Sequence, residues 1–146
     1  MKVLVQRVKE ANVKVENKIV GSIEKGFLVF IGITHTDTKE IADYMVKKVC
    51  NLRVFEDKNG KMNLSLKEVG GKLLIVSQFT LYANTENGNR PSFTEAAKPD
   101  IANKLYEYFC KKCKENNISV EKGIFGADMK VELINDGPVT IILDKK

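Results

Sequence analysis

At 146 residues the chain can bury about 68–70% of the surface its unfolded form exposes. One domain, spanning 1–146, is therefore expected to build a core without metal or disulfide staples. Hydrophobic content of 43% and charged content of 29% are ordinary for a globular protein, and no apolar run approaches the roughly 18 residues of a membrane helix, so no membrane partner is expected.

"MKVLVQRV" alternates polar and apolar residues and lacks the basic-then-apolar layout of a signal peptide. Residues 2–9 read as a strand, and the expected location is cytoplasmic. "ANVKVENKIVGSI" (11–23) reads as a hairpin turning near Asn17-Lys18, with Val13, Val15, Ile19 and Ile23 inward. "GFLVFIGI" (26–33) is a short continuous apolar run, the pattern of a central strand covered on both faces. Asp37 opens a helix, with Glu40 completing a capping-box pattern. Ile41, Met45, Val49 and Leu52 fall on one helical stripe. Asn59-Gly60 is a strong hairpin signal. Gly70-Gly71 is followed by a strand, so it reads as a hairpin turn and not as a helix-terminus anion site. "KLLIVSQFTLY" (72–82) is the next strand, and 83–92 is a loop rich in Asn and Gly. Pro99 suits the first turn of a helix running to about Asn116, with Ile101, Ala102, Leu105, Phe109 and Cys113 on its apolar side. Ile118–Asp144 reads as two or three strands broken at Gly123, Gly126 and Gly137-Pro138. The sum is an α+β fold: a mostly antiparallel, curved, barrel-like sheet with two main helices in a single domain.

The net charge of +5 permits a polyanionic partner such as RNA without demanding one. Among 24 cationic residues the arginines are Arg7, Arg53 and Arg90, and arginine forks phosphates and carboxylates where lysine acts as a point charge. Three cysteines, Cys50, Cys110 and Cys113, with no export signal argue for reduced thiols. Cys110-Lys-Lys-Cys113 lies near the C-terminal end of a helix, where the dipole disfavours a thiolate, so it reads as helix packing and not as a redox pair. His35 is the one histidine and reads as structural. No His-x-His or Glu-x-x-His spacing occurs, so neither metal nor cofactor is expected. Two segments stay open. "SQFTL" (77–81) is either an edge strand with polar outward residues or a strand leaving the core to enter a site. As a strand it places Ser77, Phe79 and Leu81 on one face, Gln78 and Thr80 on the other. "NDGPVT" (135–140) is either a simple turn or a rigid piece of backbone presented to a ligand, its Gly-Pro bond cis or trans.

Taken together, and in this order, "MKVLVQRV", "SQFTL", "GNRPSF", "GADM" (126–129) and "NDGPVT" resemble the D-aminoacyl-tRNA deacylase family, also called D-tyrosyl-tRNA deacylases. The resemblance spans nearly the whole chain. Two motifs carry it: Ser77, Gln78 and Leu81, and then Asn135, Gly137, Pro138 and Thr140. It implies a cytoplasmic homodimer, without cofactor, that hydrolyses the ester of D-aminoacyl-tRNA and glycyl-tRNA. It implies that Ser77, Gln78, Phe79 and Thr80 line the pocket, with Met129 beside it. It further implies that Gly137-Pro138 is cis and enters the opposite subunit's site, where it rejects L-aminoacyl esters, while Arg7 steadies that loop. Lys2 and Asn87 depart from the arginine and lysine common at these positions. No His, Cys or carboxylate dyad is offered as catalyst. Thr80 as nucleophile, and assistance by the tRNA 2′-hydroxyl, are the two routes left, and the second accords better with the lack of a base near Thr80. A non-catalytic RNA-binding module is the competing reading, but neither a row of exposed aromatics nor an Arg-rich stripe supports it.

Overall fold

The computed structural model describes residues 1–146. Alternation carries the first strand further than its opening segment suggests. β1 runs Lys2–Val15 without interruption, and a turn at Glu16 and Asn17, both at positive φ, returns the chain as β2 (Lys18–Ile23). β1 buries Val3 and Val5 in its first half and Val8, Ala11 and Val13 in its second. That change of phase coincides with two register shifts against its neighbour, so the strand bends and its halves serve two different cores.

β3 (Gly26–Gly32) sits between β1, antiparallel, and β6 (Lys72–Ser77), parallel. Both of its faces are covered, as its unbroken apolar run requires. The sheet order is β2-β1-β3-β6-β7, with β7 spanning Val120–Lys122 and β8 (Lys130–Asp144) paired to the other edge of β1. The sheet curls until β2 meets β7: a Cβ on Gly21 would lie 2.7 Å from the Lys122 carbonyl oxygen. The result is the barrel-like, mostly antiparallel sheet with two helices read from the sequence. β4 (Phe55–Glu56) and β5 (Met62–Leu64) form a separate small hairpin around Asn59-Gly60, with Gly60 at positive φ.

α1 (Lys39–Asn51) and α2 (Pro99–Glu115) pack on one face of the sheet. Met45, Val49, Tyr106 and Phe109 meet Val3, Phe27, Val29 and Ile75 there, each buried side chain contributing about 1.5–3 kcal/mol of transfer free energy. The opposite face carries the smaller core of Val8, Val13, Leu28, Leu74 and Val76.

Several sequence expectations need correction. Thr38, not Asp37, caps α1, its hydroxyl accepting the Ile41 N–H. Asp37 is instead buried against the amino group of Met1 at 2.5 Å and accepts the Thr34 N–H, a pairing that no local pattern encodes. Leu52 is the C-cap residue of α1 and still packs against the core with its stripe. Ile101 is largely exposed, while Tyr106 and Cys110 complete the buried side of α2. Gly70-Gly71 makes a turn but no hairpin, because β6 pairs with β3 and β7 and not with β5. The strand expected over 72–82 ends at Ser77. The strand expected to break at Gly137-Pro138 continues through it as β8.

Candidate active site

The parallel pairing of β6 with β3 stops at Ile31 and Ser77, and the Gln78 N–H closes it on the Ile31 carbonyl at 2.7 Å. The chain then tightens into a 3₁₀ turn, Phe79–Tyr82. Gly32 makes this possible, since a Cβ there would fall 2.9 Å from Leu81 Cβ. The alternating faces expected for Ser77 to Leu81 are therefore lost. Gln78 and Thr80 face one another, Gln78 Nε2 donating to Thr80 Oγ1 at 2.5 Å, and Phe79 projects outward at 57% exposure.

Ser77, Gln78 and Phe79 border a largely apolar cavity of about 600 Å³. Its other walls are the 93–97 loop with Phe93, the start of α2 at Pro99 and Ala102, and the 125–129 segment ending in Met129. Phe79 and Phe93 meet edge to face at the rim, their centroids 5.1 Å apart. The loop is held from below: His35 Nε2 donates to the Thr94 carbonyl at 2.8 Å, and Thr34 Oγ1 donates to that of Glu95 at 2.5 Å. His35 thus ties a cavity wall in place. Lys98 and Asp128 are the ionisable residues on the lining.

A second group of residues lies on β8. Thr140 pairs with Gln6 and Asn135 with Val8, so residues 136–139 loop out opposite Arg7 alone. Asn135 Oδ1 accepts the Val139 N–H at 2.8 Å, and its Nδ2 donates to Thr140 Oγ1 at 2.9 Å, closing the neck of the loop. Arg7, 5% exposed, donates from Nε to the Asp136 carbonyl at 3.0 Å and from Nη1 to the Val54 carbonyl at 2.6 Å. Gly137 adopts φ +133, where a side chain is disfavoured, and a Cβ there would press within 3.1 Å of Arg7 Nη2. The Gly137-Pro138 peptide is cis, and both residues face solvent.

The candidate residues thus fall into two places. Ser77, Gln78, Phe79 and Met129 line the cavity, and Thr80 stands one residue along. Arg7, Asn135, Gly137, Pro138 and Thr140 form the anchored loop, which does not line the cavity of its own chain. Sequence reasoning missed Phe93, Ala102 and Phe125. Ala102 was placed on the helix's apolar side, but nothing local distinguishes a cavity wall from a core contact.

The cysteines lie apart from this site, buried between the helices. Burial pushes the Cys110 thiol up to about 12. The hydrogen bond shared with Cys50 pushes Cys113 further in the same direction.

The chain is thus a curved α+β barrel with an apolar cavity where its parallel strands end, flanked by "SQF" and "GADM". Residues 4–144 match the family model described as D-Tyr-tRNA(Tyr) deacylase, and the chain belongs to that family. Over 146 residues it is 57% identical to the D-aminoacyl-tRNA deacylase of Thermosipho africanus (strain TCF52B), covering 100% of this chain and 98% of the relative. Identity to the protein of the same name from Fusobacterium nucleatum subsp. nucleatum is 58%, covering 100% and 97%. A solved structure named c-Myc DNA Unwinding Element Binding Protein superposes with a TM-score of 0.94 at 39% identity, over 100% of this chain and 99% of that one. A probable eukaryotic D-amino acid tRNA deacylase shares the fold, with a TM-score of 0.84 at 20% identity over 99% and 98%.

Proposed function

We propose that this protein hydrolyses the ester joining a D-amino acid, or glycine, to the 3′ end of tRNA, and that it spares L-aminoacyl-tRNA. One observation carries the reading: in this chain of the family, Ser77, Gln78 and Phe79 border a cavity large enough for an aminoacylated ribose, while the anchored Gly137-Pro138 loop stands outside it. The loop then works in the cavity of a second copy. An uncovered patch of sheet supports that arrangement. Leu4, Phe30 and Ile142 are register partners on one face, and Ile142 is 69% exposed.

No side chain is set to take a proton from Thr80. Its hydroxyl oxygen accepts from Gln78, and the one histidine is bound to a loop carbonyl. The terminal ribose 2′-hydroxyl supplies the assistance. It orients a water whose oxygen attacks the ester carbonyl. The bond to the 3′ oxygen breaks, that oxygen leaves with the water's proton, and free tRNA and the amino acid result. The amides of Phe79 and Thr80 open the 3₁₀ turn, where the first N–H groups have no partner within the helix, and they receive the developing oxyanion. Chirality is read by exclusion. A fitted apolar pocket separates neighbours by only about 1–3 kcal/mol, whereas a backbone wall turns the wrong hand into a clash.

The test is turnover of D- and L-tyrosyl-tRNA side by side. Cleavage of the D form alone is expected, and equal rates would refute the reading. Substrate ending in 2′-deoxyadenosine should be cleaved far more slowly, and undiminished hydrolysis would sink the ribose-assisted route. Nucleic-acid binding without catalysis is the second reading, favoured by the +5 charge and by the name of one structural neighbour. Turnover separates it from the first.

A further inference from the structure

Gly123 directly follows β7, behind the Met129 wall of the cavity, and its backbone does not need a glycine: its φ lies outside the left-handed region. The reason for a glycine there is steric. A Cβ would lie 2.6 Å from Sδ of Met129, while the next neighbours, Val13 Cγ1 and Val76 Cγ2, stand at ordinary distances of 3.7 and 3.8 Å. Met129 is thus recessed into a notch formed by the missing side chain, and it lines the cavity from that seat. The notch itself is rigid. The Gly123 N–H donates to the Ile75 carbonyl at 3.1 Å, and the buried Tyr106 hydroxyl donates to the same oxygen at 2.7 Å. Neither the strand nor the helix behind it can yield easily.

We propose that Gly123 is a positioning residue that sets the free volume of the cavity by holding Met129 back from it. The inference rests on the deacylase reading of that cavity. A methyl group at 123 has to displace the Met129 thioether, the most flexible neighbour. Val13 and Val76 pack Met129 from the smaller core, Val76 also lining the cavity, so the open volume of the cavity is the side to which the thioether can swing. The Ser77–Thr80 segment is not touched. Binding should therefore suffer, and chemistry on bound substrate should not.

Gly123→Ala should raise KM for D-alanyl-tRNA roughly tenfold with kcat within about twofold. Its inhibition constant for a non-hydrolysable 3′-amide analogue of D-alanyl-adenosine should rise in parallel. Adding Met129→Ala should return both to the values of Met129→Ala alone, because no thioether is left to displace. Simple destabilisation would not give this pattern. An unchanged KM in Gly123→Ala overturns the inference, as does a kcat loss at constant KM. Should Gly123→Ala not fold, the double variant decides: a KM more than about twofold above that of Met129→Ala is again a refutation. Wild-type protein that cleaves no D-aminoacyl ester refutes the deacylase reading itself, whereas an active wild type with an indifferent Gly123→Ala refutes this inference alone.

Discussion

Arg7 shows how one side chain can be read in part from sequence. It is one of three arginines among 24 cations, and the family resemblance implies a place for it at the Gly-Pro loop. The contact with the Val54 carbonyl, 47 residues away, was not readable. Arg7 reaches two carbonyls with a planar fork, and lysine has a single point of contact. Arg7→Lys should therefore cost about 2–3 kcal/mol in urea unfolding, since one carbonyl is left buried and unpaired. It should also lower the preference for D over L esters, because the loop loses its anchor. A wild-type denaturation midpoint with an unchanged D/L ratio would contradict both. For Thr80→Ala, turnover is expected within a fewfold of wild type; a loss of several orders of magnitude would return the nucleophile role to Thr80.

At the scale of elements, periodicity made most of the fold legible. The alternation in β1, the apolar run of β3 and the stripes of α1 and α2 each specify their own geometry. What failed lay at ends and junctions. "FTLY" has good strand propensity, but the close approach at Gly32 makes it a 3₁₀ turn. Helix α1 is ended and started by local chemistry: Thr38→Ala should cost about 1 kcal/mol, measurable as a shifted midpoint with unchanged slope. Helix α2 carries a pH signature. Burial raises the Cys110 thiol to about 12, so its protonated form stabilises the fold fully below the unfolded value near 9. That contribution is lost as pH rises from about 9 to about 12, because the unfolded thiol ionises first. The urea midpoint should fall between pH 8 and pH 10.5, and less steeply in Cys110→Ala. Parallel curves for the two proteins would exclude the assignment.

For the whole molecule, the decisive fact is that the Gly137-Pro138 loop and the cavity on one chain do not meet. If the loop works across the proposed dimer, two variants with different defects, one unselective and one inactive, should complement each other. One carries Pro138→Ala with Gly137→Ala in the loop; the other carries Ala96→Trp, which obstructs the cavity. Unfolded together and refolded as a mixture, they should recover the exclusion of L esters at one site in each mixed dimer. No recovery would mean that the loop serves its own chain. On the proposed dimer, Ile142→Asp places a charge on the uncovered sheet patch and should give a monomer by light scattering, with loss of selective turnover. A dimer that persists would locate the interface elsewhere.

By itself, the sequence determined the α+β class, the two helices, most of the strands and the two motifs that identify the family. Each follows from short-range periodicity or from residues close together in the chain. Only the tertiary structure decided that β3 and β6 run parallel, that Asp37 meets the amino terminus, that Arg7 spans two loops, and that Gly123 leaves room for Met129. These depend on which surfaces the crossover through α1 and the curl of the sheet bring together. Contacts between distant segments leave no period in the chain, so no local pattern can announce them.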